Sequence, residues 1–137
     1  MDGHLLLEVV TPLRKVFSAE VSELSFPTAH LGYYGILPGH TPVMTAVGDG
    51  LITYVQNGRK HVLTVFGGFA EVGPDRVMIL ARESELPETL NAGTLETTHQ
   101  DALKRLKEAK DPQELASAQA DVDAASIRLQ ALGPLPL

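Results

Sequence analysis

The chain has 137 residues, of which 44% are hydrophobic and 20% charged, and a formal net charge of -6. It has no cysteine, which excludes disulfides, thiolate zinc sites and cysteine nucleophiles, and no basic stripe that would point to nucleic acid. No apolar run approaches the roughly 18 residues that cross a bilayer, and Met1-Asp2-Gly3-His4 leads into the chain without a basic leader, so any membrane association is expected to run through a protein partner.

Up to Arg82, apolar residues fall in short runs broken by Gly, Pro, Asn and Asp, the rhythm of strands joined by turns. Residues 5–10 are the first run, stopped by Thr11-Pro12. Lys15-Val16-Phe17 and then residues 21–26 follow, ending at Pro27. Residues 51–55 and 61–66 flank Asn57-Gly58, a pair that tolerates positive φ at both central positions and so predicts a tight hairpin. Gly73-Pro74-Asp75 predicts a second hairpin, between residues 69–72 and 77–80. Gly48-Asp49-Gly50 and Gly67-Gly68 read as turns and a close strand crossing, since neither continues into a phosphate-binding motif. About eight short strands in roughly 80 residues predict a sandwich or flattened barrel.

Beyond Pro87 the pattern turns helical, rich in Ala, Leu, Glu, Gln and Lys. Leu95, Ala102, Leu106 and Ala109 recur at helical spacing, with His99 in the gap. Leu115, Ala118, Val122, Ala125, Leu129 and Leu132 make a second stripe. Asp111-Pro112-Gln113-Glu114 supplies a cap, a first-turn proline and a capping-box glutamate between them, and Gly133-Pro134 ends the second helix. Two antiparallel helices of roughly 20 residues are expected. Their seam is rich in Ala and buries little area, so the pair is expected to be marginally stable unless docked.

Catalytic chemistry finds little footing. His4, His30, His40, His61 and His99 show no metal-ligand spacing, and no metal or other cofactor is expected. Asp121 and Asp123 point to different sides of a helix, and there is no G-x-S-x-G elbow. The stretch Gly35-Ile36-Leu37-Pro38-Gly39-His40-Thr41-Pro42 stands apart. Two prolines and a histidine among glycines describe a rigid, exposed loop that works as a contact surface.

That stretch, continued by residues 43–47 and by Gly50-Leu51-Ile52, resembles the signature of epsilon subunits of bacterial F-type ATP synthases. Phe66-Gly67-Gly68-Phe69-Ala70-Glu71-Val72, with residues 77–81, resembles their second signature. The opening residues 7–12 and the helical end are also similar, so the resemblance covers nearly the whole chain. It implies a flattened antiparallel β-sandwich of about ten strands over residues 1–86, followed by a regulatory two-helix hairpin over 87–137. It further implies a non-catalytic rotor subunit at the cytoplasmic face of the bacterial plasma membrane. The β domain would bind the gamma subunit and the ring of c subunits, and the hairpin would extend towards the alpha and beta subunits to restrain ATP hydrolysis. Tyr33, Gly35, Leu37, Pro38, Gly39, His40 and Pro42 would belong to the gamma- and ring-facing foot. Tyr33 stands where many members carry an acid. At the start of the first helix, where several members bind ATP, Asn91 and Thr94 replace an Asp and an Arg, so no ATP site is expected. Lys104, Arg105, Lys107 and Lys110, assisted by Arg128, would make any inhibitory contact; a solvated face is the other reading of that cluster. The competing functions are a stand-alone nucleotide sensor, a chaperone or adaptor with a β platform and helical arms, and, least favoured, a small hydrolase.

Overall fold

The computed structural model describes residues 3–134; the expected ends of the two domains, residues 1–2 and 135–137, lie outside the described residues. Seven strands come first: β1 (Leu5–Val10), β2 (Lys15–Val21), β3 (Glu23–Pro27), β4 (Tyr33–Ile36), β5 (Val43–Gln56), β6 (Arg59–Val72) and β7 (Arg76–Glu83). A 3-10 turn (Pro87–Thr89) leads to α1 (Ala92–Glu108) and α2 (Pro112–Leu132). The chain forms two compact units that meet in sequence at the Leu86–Pro87 bond.

In the first unit all seven strands share one hydrogen-bonded sheet, ordered β2-β1-β7-β6-β5-β3-β4. The pairs are antiparallel except β1 with β7, which run parallel. The sheet folds over on itself: β2 and β5 are separated by three strands, yet the rings of Phe17 and Tyr54 lie 4.7 Å apart. β5 and β6, 14 residues each, run through both layers. The outer end of β6 pairs with β7, which pairs in turn with β1, and the end of β5 nearer Asn57-Gly58 pairs with β3, which pairs in turn with β4.

The fold-over passes through glycine. Gly67 and Gly68 hold φ of 65° and 124°, a region that carries no penalty only for glycine. Inward-facing residues are odd-numbered in β6 before this point (Leu63, Val65) and even-numbered after it (Ala70, Val72). β5 switches likewise between Val47 and Ile52. The expected strand count of about ten is therefore corrected to seven, and Gly48-Asp49-Gly50 and Gly67-Gly68 are bends inside long strands, not turns between short ones. Two other boundaries move: Val21 ends β2, and Glu23 opens β3, because Ser22 turns its N–H to Val55 O at 2.9 Å.

The core between the layers is aliphatic, with Leu5, Leu7, Val9, Ile79 and Val77 facing Leu24, Phe26, Ile36, Ile52 and Leu63. Both predicted hairpins are present. Asn57 (φ 53°) and Gly58 (φ 76°) make the tight β5–β6 turn, and Gly73 N–H donates to Arg76 O at 2.8 Å across the β6–β7 turn.

The second unit is an antiparallel helical pair. Asn91 caps α1, its Oδ1 accepting from Thr94 N–H at 2.9 Å. Asp111 caps α2 by accepting from Glu114 N–H at 2.8 Å, with Pro112 in the first turn. Glu114 reaches back to Lys110 N–H at 2.9 Å, one residue earlier than a capping box requires. Ala102, Ala118, Val122, Ala125 and Ala131 are buried, whereas Leu115 is 51% exposed and Leu132 37%. The Arg105–Asp121 and His99–Ser126 pairs set the register of the seam. In that register Leu115 faces the connection beyond Glu108, where no turn of α1 remains to cover it.

Candidate functional site

β4 is an edge strand, so its outer backbone and the loop that follows are presented to solvent. Tyr33 and Gly35 sit on it, both exposed, while Ile36 turns inward and is buried. The stiff loop is thus shorter than the motif, spanning residues 37–42. Leu37 is 60% exposed at its start, and Pro42 is exposed at its end.

The loop is held from within. Gly39, with φ 85°, donates its N–H to Pro74 O at 2.6 Å, tying the loop tip to the β6–β7 turn. The His40 ring stands edge-on to Tyr34 at 5.4 Å, and its Nδ1 lies 2.6 Å from Thr41 O. A carbonyl only accepts, so Nδ1 is the donor in this contact. Tyr33 is tied down as well: its hydroxyl accepts from Leu51 N–H at 3.2 Å and fills the space that a Gly50 side chain would take. That leaves its ring face, 60% exposed, and one O–H donor for a partner.

Next to the loop lies a surface that the sequence reading did not single out. Phe69 pairs with Ala46 on one side and Leu80 on the other, and Glu71 with Met44 and Met78. Phe69, Leu80 and Met44 are 60%, 52% and 69% exposed, making an apolar band on the outer face of β5, β6 and β7. A groove of about 570 Å³ lined by Pro42, Val43, Met44, Glu71, Val72, Gly73, Arg76 and Met78 joins this band to the loop. The available signal was strand alternation: Phe69 and Leu80 have the parity opposite to buried Ala70 and Ile79. It was hidden because each side chain is apolar and reads as core.

At the rim, Glu8 is nearly buried although its partners are half exposed. Lys15 Nζ donates to it at 3.0 Å and Arg76 Nη2 at 2.5 Å. These bonds, Lys15 first and Arg76 second, hold the Glu8 carboxyl below its ordinary pKa despite the desolvation that acts the other way.

On the helical unit, Lys104, Lys107 and Lys110 are exposed, and Arg128 is half-buried. Arg105 is engaged: its Nη2 donates to Asp121 Oδ2 at 2.8 Å across the seam. Asn91 and Thr94 do come together, but as the cap of α1, with Asn91 Oδ1 occupied by a backbone N–H. His99, expected to fill a gap in the stripe, lies 3.2 Å from the Ser126 hydroxyl, and His61 stacks on Tyr54 with centroids 5.2 Å apart. Among the described residues no three His, Asp or Glu side chains gather in a metal-binding group, and no helix is long and apolar enough to cross a membrane.

Residues 4–87 match the family described as ATP synthase, Delta/Epsilon chain, beta-sandwich domain. The ATP synthase epsilon chain of Nitratidesulfovibrio vulgaris is 35% identical over 133 residues, covering 97% of this chain and 98% of its own. That of Moorella thermoacetica is 36% identical over 134 residues, covering 97% and 99%. In fold, a chain of the Euglena gracilis mitochondrial ATP synthase (OSCP/F1/c-ring) matches with a TM-score of 0.82 at 18% identity, covering 97% of this chain and 84% of that one. A chain from the Tetrahymena thermophila mitochondrial ATP synthase (central stalk/c-ring) matches with a TM-score of 0.64 at 11% identity, covering 94% and 96%. With nearly full-length relatives of one kind and its β unit matched from end to end, the chain belongs to the epsilon chains of bacterial F-type ATP synthases.

Proposed function

We propose that this chain is a non-catalytic rotor subunit of the central stalk, joining the turning c ring to the gamma shaft and restraining ATP hydrolysis through its helical hairpin. The observation that carries the reading is the loop of residues 37–42. It is exposed outwardly yet pinned from inside by the Gly39–Pro74 hydrogen bond and the Tyr34–His40 ring contact. A preformed surface of this kind binds without the entropy loss of ordering a loop. The adjoining band of Met44, Phe69 and Leu80 is an apolar area of the sort that permanent interfaces cover. In this reading Tyr33, Gly35, Leu37, Pro38, Gly39, His40 and Pro42 form the foot against gamma and the c ring. Tyr33 supplies an aromatic face and one O–H donor where many members have an acid, its hydroxyl oxygen accepting from Leu51 N–H. The subunit would sit peripherally at the cytoplasmic face of the bacterial membrane, held there by its partners. The alpha and beta subunits would meet the hairpin only when it is extended.

The test is reconstitution with gamma and a c ring in vesicles. With the chain present, proton flow is expected to stay coupled to ATP synthesis; without it, coupling is expected to fall. Equal coupling in both cases, or failure of the chain to co-purify with gamma, would reject the proposal.

A further inference from the structure

β4 closes one side of the sheet and pairs only with β3. Thr28 N–H donates to Gly32 O at 2.7 Å and closes the turn between the two strands. Antiparallel pairs alternate between hydrogen-bonded and non-bonded, so Phe26–Tyr34 and Leu24–Ile36 are the bonded pairs of this ladder. Tyr33 and Gly35 occupy the pairs between, opposite Pro27 and Ser25, and their N–H and C=O groups point outward from the edge of the sheet. Among the described residues nothing bonds to these four backbone groups.

Exposed strand edges are ordinarily guarded by charge, by proline or by a covering group. β2, at the opposite edge, is guarded: it carries Lys15 and Glu20, and the Glu20 carbonyl accepts from Gln56 Nε2 at 3.3 Å. β4 is not. Leu31-Gly32-Tyr33-Tyr34-Gly35-Ile36-Leu37 holds no charge, and the first proline is Pro38. The side chains at the two open positions leave the edge clear as well. Tyr33 leans inward across the sheet, its hydroxyl on Leu51 N–H of β5, and Gly35 has nothing within 4 Å of where a Cβ would stand. Beside the edge, a groove of about 420 Å³ lined by Ser25, Gly35, Leu37, Thr53 and Val55, among others, has room for an incoming side chain on this face.

We propose that β4 is completed by strand addition: an extended, uncharged segment of a partner subunit pairs with Tyr33 and Gly35 through backbone hydrogen bonds and seats one side chain in the groove beside Gly35. Only an extended backbone offers N–H and C=O groups at the spacing of these two residues. The proposal rests on the rotor-subunit reading and adds to it how the foot is gripped. A second copy of this chain is the poorer occupant. Two copies meeting edge to edge would share little beyond a four-residue strand, far short of the roughly 1,200 Å² that a stable interface buries. A partner subunit takes the edge together with the stiff loop of residues 37–42, which continues directly from it.

Hydrogen exchange, resolved to single residues by mass spectrometry with electron-transfer fragmentation, tests this on the full-length chain alone and bound to a gamma–c-ring subassembly. In the free chain the Tyr33 and Gly35 amides are expected to exchange as in an unfolded peptide, while those of Tyr34 and Ile36 are protected. In the complex the Tyr33 and Gly35 amides are expected to slow roughly tenfold, the weight of one net hydrogen bond. Gly35→Pro removes a donor that the free chain does not use, at an edge where proline is tolerated, and is expected to weaken binding roughly tenfold. Gly35→Ala, which keeps the N–H, is expected to bind nearly as the wild type does. A bound chain whose Tyr33 and Gly35 amides stay fast overturns the strand addition and leaves the rotor reading standing. Wild-type affinity in a folded Gly35→Pro chain does the same. Slow amides in a free chain that sediments as a dimer assign the edge to a second copy and overturn the proposal too. A wild-type chain that does not bind the subassembly at all rejects the rotor reading, and the strand addition with it.

Discussion

Gly68 has φ 124°, and a side chain there would run into the backbone of Leu80. Gly35 has open space around it and no positive φ. Gly68→Ala is therefore expected to lower stability by about 2–4 kcal/mol, from left-handed strain together with displaced backbone. Gly35→Ala should stay within about 0.5 kcal/mol of the wild type. Urea midpoints at unchanged slope measure both. Glu8 makes a second residue-scale prediction. Its folded pKa lies below the unfolded value, so its stabilisation is fully present above the unfolded carboxylate pKa and is lost as pH falls through the folded one. The urea midpoint should therefore drop on acidification below about pH 5, and Glu8→Gln should flatten that limb. At this scale the sequence was informative where one conformation admits few residues, as at Asn57-Gly58 or Asp111-Pro112. It was silent on Phe69, Leu80 and Met44, because hydrophobicity alone does not say which face of a strand looks inward.

Among elements, the hairpin carries its charges unevenly. Lys104, Lys107 and Lys110 are exposed, whereas Arg105 is committed to Asp121 while the helices stay paired. Replacing Lys104, Arg105, Lys107 and Lys110 with Gln or Ala is expected to weaken the restraint on ATP hydrolysis several-fold in the reconstituted complex, measured as ATPase rate. An unchanged rate would make the cluster a solvated face. Stability should change little, since an exposed pair such as Arg105–Asp121 is worth about 0–1 kcal/mol. At the other end of α1, Asn91 Oδ1 already accepts a backbone N–H, and Thr94 brings no cation for phosphate. Calorimetric titration with ATP is expected to detect no binding in the micromolar range. Helix positions were legible in the sequence because caps and apolar spacing are local. Strand count was not: glycine marks a turn and a bend alike, and only long-range pairing tells them apart at Gly48 and Gly67. Leu115 was placed in the seam because spacing along one helix carries no information on where its partner ends.

For the whole molecule, the β unit contains its own core and all seven strands before Leu86. A chain ending there is expected to unfold cooperatively and still to capture gamma in a pull-down, while ATP hydrolysis loses its restraint. A truncated chain that fails to fold would assign the hairpin a structural role. The continuous sheet has a mechanical meaning. In a sandwich of two separate sheets, a sideways load slides one layer over the other against side-chain packing alone. Here β5 and β6 cross from layer to layer without a break, so the same load pulls on unbroken peptide backbone and its ladder of hydrogen bonds. For a part that transmits twisting force, that makes the β unit a stiff spacer in place of a compliant one.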